Sequence, residues 1–145
     1  MTTDQLKLTN QGCFPVYALA KEIVNHYRPY LDKLDLTYPQ YLVMLVLWEE
    51  NEQTVTQLGE KLKLDSGTLT PLLKRMQQKE LIFRKRSHAD ERVVNISVTE
   101  KGQQLKTEAE YMPQQLMDSM HISIEDLKTL KDIIEKILLK INQNN

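Results

Sequence analysis

A single cysteine, Cys13, occurs in 145 residues. One thiol per chain excludes an intrachain disulfide and cannot by itself form a zinc site, and a free thiol suits a reducing compartment. Long hydrophobic runs are missing as well. The longest, Tyr41 to Trp48, has eight residues, against the roughly 20 that a membrane-spanning helix requires. The polar start, Met1-Thr2-Thr3-Asp4-Gln5, lacks a signal-peptide layout, so the expectation is a cytoplasmic protein without a membrane partner. His26, His88 and His121 stand far apart, and no glycine-rich phosphate loop, His-Glu-x-x-His or paired-cysteine spacing occurs. No cofactor, metal or catalytic residue is therefore expected. Internal repeats and low-complexity tracts are absent too. What remains is 41% hydrophobic and 27% charged, the composition of a globular domain with one core or a core shared with a partner.

The net charge of -1 conceals an asymmetry. Residues 61–92 carry nine Lys/Arg against four Asp/Glu, whereas residues 1–60 carry four against eight and residues 93–145 six against eight. A basic centre between acidic flanks can face a polyanion, or it can be a solvated face.

Periodicity divides the chain into elements. From Phe14 to Leu34 apolar residues recur at helical spacing, with Pro15 suited to the first turn and Pro29 expected to kink the end. Thr37 with Gln40 reads as a capping box ahead of a buried helix through Trp48. Two short helices follow, Thr56 to Leu64 and Asp65 to Lys79, the second capped by Asp65 and containing Pro71, where local distortion is expected. So tight a joint predicts a helix-turn-helix. After Glu80 the period becomes alternating: Leu81 to Arg86 and Val94 to Val98 read as a hairpin with the charged tip Ser87-His88-Ala89-Asp90-Glu91-Arg92. Thr99 caps a helix running towards Pro113. Ser123 caps the last, whose stripe of Leu127, Leu130, Ile134, Ile137, Leu138 and Ile141 calls for a cover, from a second subunit or from the first helix. The fold class expected is mainly α with a small β-hairpin wing, a winged helix-turn-helix.

Residues 65–76, DSGTLTPLLKRM, carry the chemistry of a DNA-reading helix. Ser66, Thr68 and Thr70 are short hydroxyl side chains in its early turns, Gly67 permits close approach, and Lys74 and Arg75 can neutralise phosphate. A surface helix with incidental hydroxyls would look the same in isolation. Lys85, Arg86 and Arg92 crowd the adjoining hairpin, and an arginine at its tip suits the narrow, negative minor groove. Asp90, two residues earlier, is placed to hold the Arg92 guanidinium in one geometry.

The stretches LGEKLKLDSGTLTPLLKRM and RKRSHADERVVNISVTEKG, with the Asp-x-Arg wing motif at Asp90-Glu91-Arg92, resemble the MarR family of bacterial transcription regulators, nearest its organic hydroperoxide resistance branch. The resemblance spans nearly the whole chain. It implies one domain over residues 1–145, with DNA binding at 54–98 and homodimerisation through 1–36 and 100–145. Double-stranded operator DNA is the implied partner. In that branch a reactive N-terminal cysteine accepts hydrogen bonds from two tyrosines of the other subunit. The matching residues are Cys13, Tyr27 and Tyr38, with Tyr17 lining the pocket.

A thiolate is the reactive form of cysteine, and a helix N-terminus supplies partial positive charge and unpaired amides. Cys13 falls one residue before the expected N-cap, Phe14, although a lone cysteine is also a common core residue. Fourteen residues of helix put Cys13 roughly 21 Å from Tyr27, too far for contact within one chain. The implied mechanism is oxidation of Cys13 by an organic hydroperoxide and release of the operator. Without a second cysteine, the sulfenic acid would be resolved by a small thiol as a mixed disulfide, by the partner's Cys13, as a sulfenamide or by overoxidation. A small thiol is favoured, because two Cys13 residues near opposite ends of crossed helices would not meet at disulfide distance. Competing readings are a repressor that answers a small aromatic ligand, a broader thiol-based regulator of virulence or biofilm genes, a thiol peroxidase, and a dimeric interaction protein that does not bind DNA. A peroxidase is disfavoured because the chain lacks an alternating strand and helix pattern.

Overall fold

In the computed structural model, which describes residues 3–144, the chain falls into two compact units, one ending at Glu110 and the other beginning at Tyr111. Among the described residues the first contains two short 3-10 helices ahead of Phe14, five α-helices, α1 (Phe14–Lys33), α2 (Tyr38–Glu49), α3 (Val55–Leu62), α4 (Ser66–Gln78) and α5 (Glu100–Ala109), and three strands, β1 (Glu52–Thr54), β2 (Ile82–Arg86) and β3 (Val94–Val98). The second contains α6 (Met112–Met120) and α7 (Ile124–Gln143).

Local capping chemistry sets most of the boundaries. The Thr37 hydroxyl accepts from the Gln40 N–H while the Gln40 side chain accepts from the Thr37 N–H, and Thr54 and Gln57 repeat the arrangement at α3. Asp65, Thr99 and Ser123 each accept from a backbone N–H three residues on. Each such contact satisfies an amide that the first helical turn leaves unpaired.

The unit's core gathers the apolar sides of these elements. Val43, Met44 and Leu47 from α2, Leu58 from α3, Leu69, Leu73 and Met76 from α4, Ile82 from β2 and Ile96 from β3 are all less than 2% exposed. Each contributes about 1.5–3 kcal/mol by leaving water. Gly102 of α5 is required by this packing, since a Cβ there would collide with the Leu81 carbonyl and crowd the Val98 and Met44 side chains. The Gly102 carbonyl also accepts from the Trp48 indole N–H at 3.0 Å. At the α3–α4 joint Lys63 adopts a left-handed conformation, and a Cβ on Gly59 would stand 2.8 Å from the Leu64 carbonyl oxygen. The turn closes tightly because Gly59 lets it.

Several expectations need correction. The wing is a three-stranded antiparallel sheet in the order β1-β3-β2, with Gln53 opposite Ile96 and Arg84 opposite Ile96 on the other side. Strand β1, Glu-Gln-Thr, is too short and polar to show an alternating pattern. Helix α3 begins at Val55, where Thr54 caps it, instead of at Thr56. The helix capped by Thr99 stops at Ala109, and Pro113 belongs to the first turn of the separate α6. Pro29 and Pro71 lie inside unbroken helices. The carbonyls they deprive of a partner belong to Asn25 and Gly67, both exposed and reachable by water.

Candidate DNA interface and thiol site

Helix α4 opens on the Asp65 carboxylate, whose Oδ1 accepts from the Thr68 N–H at 2.7 Å. Hydrogen bonds from Thr68 hold this carboxyl below its ordinary ionisation range. Beyond the cap, Ser66, Thr68, Lys74 and Arg75 are exposed and Thr70 is half-buried. The spacing of four puts Thr70 and Lys74 on one stripe and leaves Thr68 and Arg75 on the next. Strand β2 brings Arg84 and Arg86 to the same side of the sheet, and Lys85 points to the other.

Thr70, Lys74, Gln77, Arg84, Arg86 and Val94 line a single polar groove between the helix and the wing. Arg84 was not among the residues singled out from sequence, although its position two before Arg86 on one strand is a signal that was there to be read. Its Nη1 lies 3.5 Å from the Gln77 Oε1, and its buried Nε has no hydrogen-bond partner among the described residues.

At the wing tip the expected Asp90–Arg92 pair is present. Asp90 Oδ1 accepts from both the N–H and the Nε of Arg92, at 3.0 and 3.1 Å, and Oδ2 accepts from Nη2 at 3.2 Å. These bonds, the side-chain ones first, hold the Asp90 carboxyl below its ordinary range. The Arg92 side chain stays 91% exposed, so the pair orients a guanidinium that still faces outward. Arg86 Nη1 donates to the Glu91 carbonyl at 2.9 Å and Ser87 N–H donates to the Val93 carbonyl at 2.8 Å. The tip is thereby tied to its own base.

Cys13 is a free, exposed thiol at the start of α1. It is itself the N-cap, one position earlier than expected, because Phe14 already has helical geometry and Pro15 occupies the first turn. Its carbonyl accepts from the Tyr17 N–H at 3.2 Å, which places Tyr17 one turn onward. The Tyr17 ring is 62% exposed, with Lys21 Nζ 5.5 Å from its centre.

Tyr27 and Tyr38, from α1 and α2, meet with ring centres 4.9 Å apart. Tyr41 joins them at 5.8 Å from Tyr27 and 6.3 Å from Tyr38, a third phenol whose position within the apolar run had marked it only as core. Burial, then the neighbouring Tyr38 and Tyr41 phenols, push the Tyr27 ionisation up to about 12, and burial raises that of Tyr38. Both hydroxyls therefore keep their protons at neutral pH and remain hydrogen-bond donors. Helix α1 is continuous from Phe14 through Tyr27, and its rise separates Cys13 from Tyr27 by roughly 21 Å along the axis within the chain. A crevice of about 230 Å³ opens beside Tyr38, lined also by Val24, Arg28, Asp32 and Thr37.

A helix-turn-helix with a basic groove, followed by a sheet with an arginine at its tip, defines a winged-helix DNA-binding protein. The chain belongs to a family of bacterial winged-helix transcriptional regulators: residues 25–109 match the family model described as transcriptional regulator SarA/Rot, and the sequence is 51% identical over 142 residues to the organic hydroperoxide resistance transcriptional regulator of Bacillus subtilis (strain 168). That alignment covers 98% of this chain and 97% of the relative. Among solved structures, reduced AbfR bound to DNA superimposes with a TM-score of 0.79 at 35% identity, covering 97% of this chain and 99% of that one. Overoxidized AbfR bound to DNA gives a TM-score of 0.77 at 36% identity, with the same coverage. The expected family and the winged-helix fold are thus borne out: the Bacillus subtilis relative is a transcriptional regulator, and the AbfR structures are bound to DNA. Among the described residues, no helix is long and apolar enough to cross a membrane.

Proposed function

We propose that this chain is a redox-sensing repressor that binds operator DNA as a homodimer and releases it when an organic hydroperoxide oxidises Cys13. The observation that carries the reading is the separation of an exposed thiol from a pair of protonated phenols on the same helix and its neighbour. Contact between Cys13 and Tyr27 or Tyr38 then needs a second chain. Support comes from the organic hydroperoxide resistance regulator of Bacillus subtilis and from AbfR, whose reduced form is bound to DNA.

In the reduced dimer the phenols of one subunit donate to the Cys13 sulfur of the other. The sulfur attacks the distal peroxide oxygen, an S–O bond forms as the O–O bond breaks, and the peroxide leaves as an alcohol after taking a proton. The resulting sulfenic acid condenses with a small thiol, releasing water and leaving a mixed disulfide. Neither product retains the original phenol contacts. A 100-fold weaker hold on the operator needs only about 2.7 kcal/mol of difference between the two states.

On DNA, Ser66, Thr68 and Thr70 approach base edges in the major groove and Lys74, Arg75 and Lys85 neutralise phosphates. Arg84 and Arg86 hold the backbone where it crosses from helix to wing, and Arg92, aimed by Asp90, enters the minor groove. Residues 54–98 form this DNA-binding region, and α1 together with α5, α6 and α7 is assigned to the dimer contact.

The test compares operator binding by reduced, hydroperoxide-treated and Cys13→Ser protein. The serine variant is expected to bind like the reduced parent and to ignore hydroperoxide; release of Cys13→Ser by hydroperoxide would sink the thiol reading. The crevice beside Tyr38 favours a small aromatic effector as the second reading, in which Cys13→Ser protein would still be released by such a ligand.

A further inference from the structure

Lys79 ends the recognition helix and reaches back to the turn that carries Tyr38. Its backbone N–H closes α4 on the Arg75 carbonyl at 3.0 Å, and its carbonyl accepts from Lys101 Nζ at 2.9 Å. Its ammonium donates to the Asp35 carbonyl at 2.6 Å and to the Gln40 Oε1 at 3.4 Å, with the Asp35 carboxylate at 3.6 Å. Asp35 sits in a left-handed conformation, φ 54°, between the buried Leu34 and Leu36. That geometry presents its carbonyl to the lysine.

Gln40 is the shared node. It is 3% exposed, and its Oε1 accepts from the Thr37 N–H at 3.1 Å as well as from Lys79. Tyr38 lies between the two members of that capping box. One ammonium therefore joins the C-cap of α4 to the α1–α2 turn at Asp35 and to the first turn of α2 at Gln40, across 44 and 39 residues of sequence. The Lys79 side chain is 30% exposed and the Asp35 side chain 88%, so of the two oxygens it meets, the buried Gln40 Oε1 is the less screened.

We propose that Lys79 is a positioning residue that couples the Tyr27–Tyr38 site to the recognition helix, so that altered phenol contacts move α4 relative to the wing. The proposal rests on the redox-sensor reading of Cys13. It requires that Tyr38 cannot shift without moving the capping box, and that the capping box holds the lysine.

The full-length chain as Lys79→Met, Lys79→Gln and Lys79→Arg is compared with the parent for operator affinity before and after cumene hydroperoxide, with Cys13 oxidation followed by intact mass. Allosteric couplings run at roughly 5–150-fold; Lys79→Met is expected to oxidise normally and bind operator when reduced, with its oxidised-to-reduced affinity ratio falling below about threefold. Lys79→Arg, which keeps a cationic donor, should restore most of the parental ratio. If Lys79→Met loses its folded circular dichroism, Lys79→Gln is judged by the same ratio. A parental ratio in a folded, neutral variant overturns the coupling, as does an equal loss of affinity in both redox states, which would mark Lys79 as structural only. A parent that oxidises without losing operator would overturn the sensor reading itself, and the coupling with it.

Discussion

At Tyr27, burial and the nearby Tyr38 and Tyr41 phenols displace the ionisation from 10.0 to about 12. Because the folded value lies above the unfolded one, the group's contribution to stability is complete below pH 10.0 and is lost as the pH rises towards 12. Spectroscopic titration of the phenolates should show a final step near 12 that disappears in Tyr27→Phe. The parent's unfolding free energy should also fall more steeply than the variant's across that interval. The thiol end of the site was legible in the sequence as the only cysteine, and Tyr27 and Tyr38 by their match to the family. Tyr41 was not, because a phenol inside an eight-residue apolar run looks the same whether it fills core or joins a cluster. Arg84 was missed for a related reason: alternation tells which residues share a strand face, but the groove exists only where that face meets Thr70, Lys74 and Gln77.

Between elements, the close approach of α5 to the sheet depends on one absent methyl group. Gly102→Ala forces a Cβ against the Leu81 carbonyl, with Val98 and Met44 already at contact, and overpacking of this kind costs about 1–3 kcal/mol. Urea unfolding should show a lower midpoint at an unchanged slope. An unchanged midpoint would mean that α5 can retreat without cost. In the sequence Gly102 was an unremarked residue of a polar helix. The caps were readable because each is a contact over three residues, as at Thr37, Asp65, Thr99 and Ser123. Strand β1 was not, since its three residues are defined by their pairing with β3, more than 40 residues away, and carry no period of their own.

For the whole molecule the informative surface is α7. Ile133, Ile134, Ile137, Leu139 and Ile141 are each 37% or more exposed, and no residue of this 20-residue helix is buried. We assign this face to a second copy of the chain. Ile137→Glu is expected to sediment as a monomer while keeping its helical circular dichroism. Two linked half-sites, about 34–36 Å apart in such operators, bind together far more tightly than one alone; operator affinity should fall by about 10²–10⁴-fold. A dimeric Ile137→Glu protein with parental affinity would move the dimer contact elsewhere.

Every helix except α6, the caps at Thr37, Asp65, Thr99 and Ser123, the helix-turn-helix, the charged wing tip and the lone thiol followed from the sequence by itself, because each depends on neighbours within a few residues or on simple counting. Only the tertiary structure decided that a third strand completes the wing, that Arg84 enters the groove, that three tyrosines from two helices converge and that Lys79 reaches Asp35 and Gln40. Those contacts depend on how packed elements cross one another, and periodicity states which face of an element is apolar without stating what that face will meet.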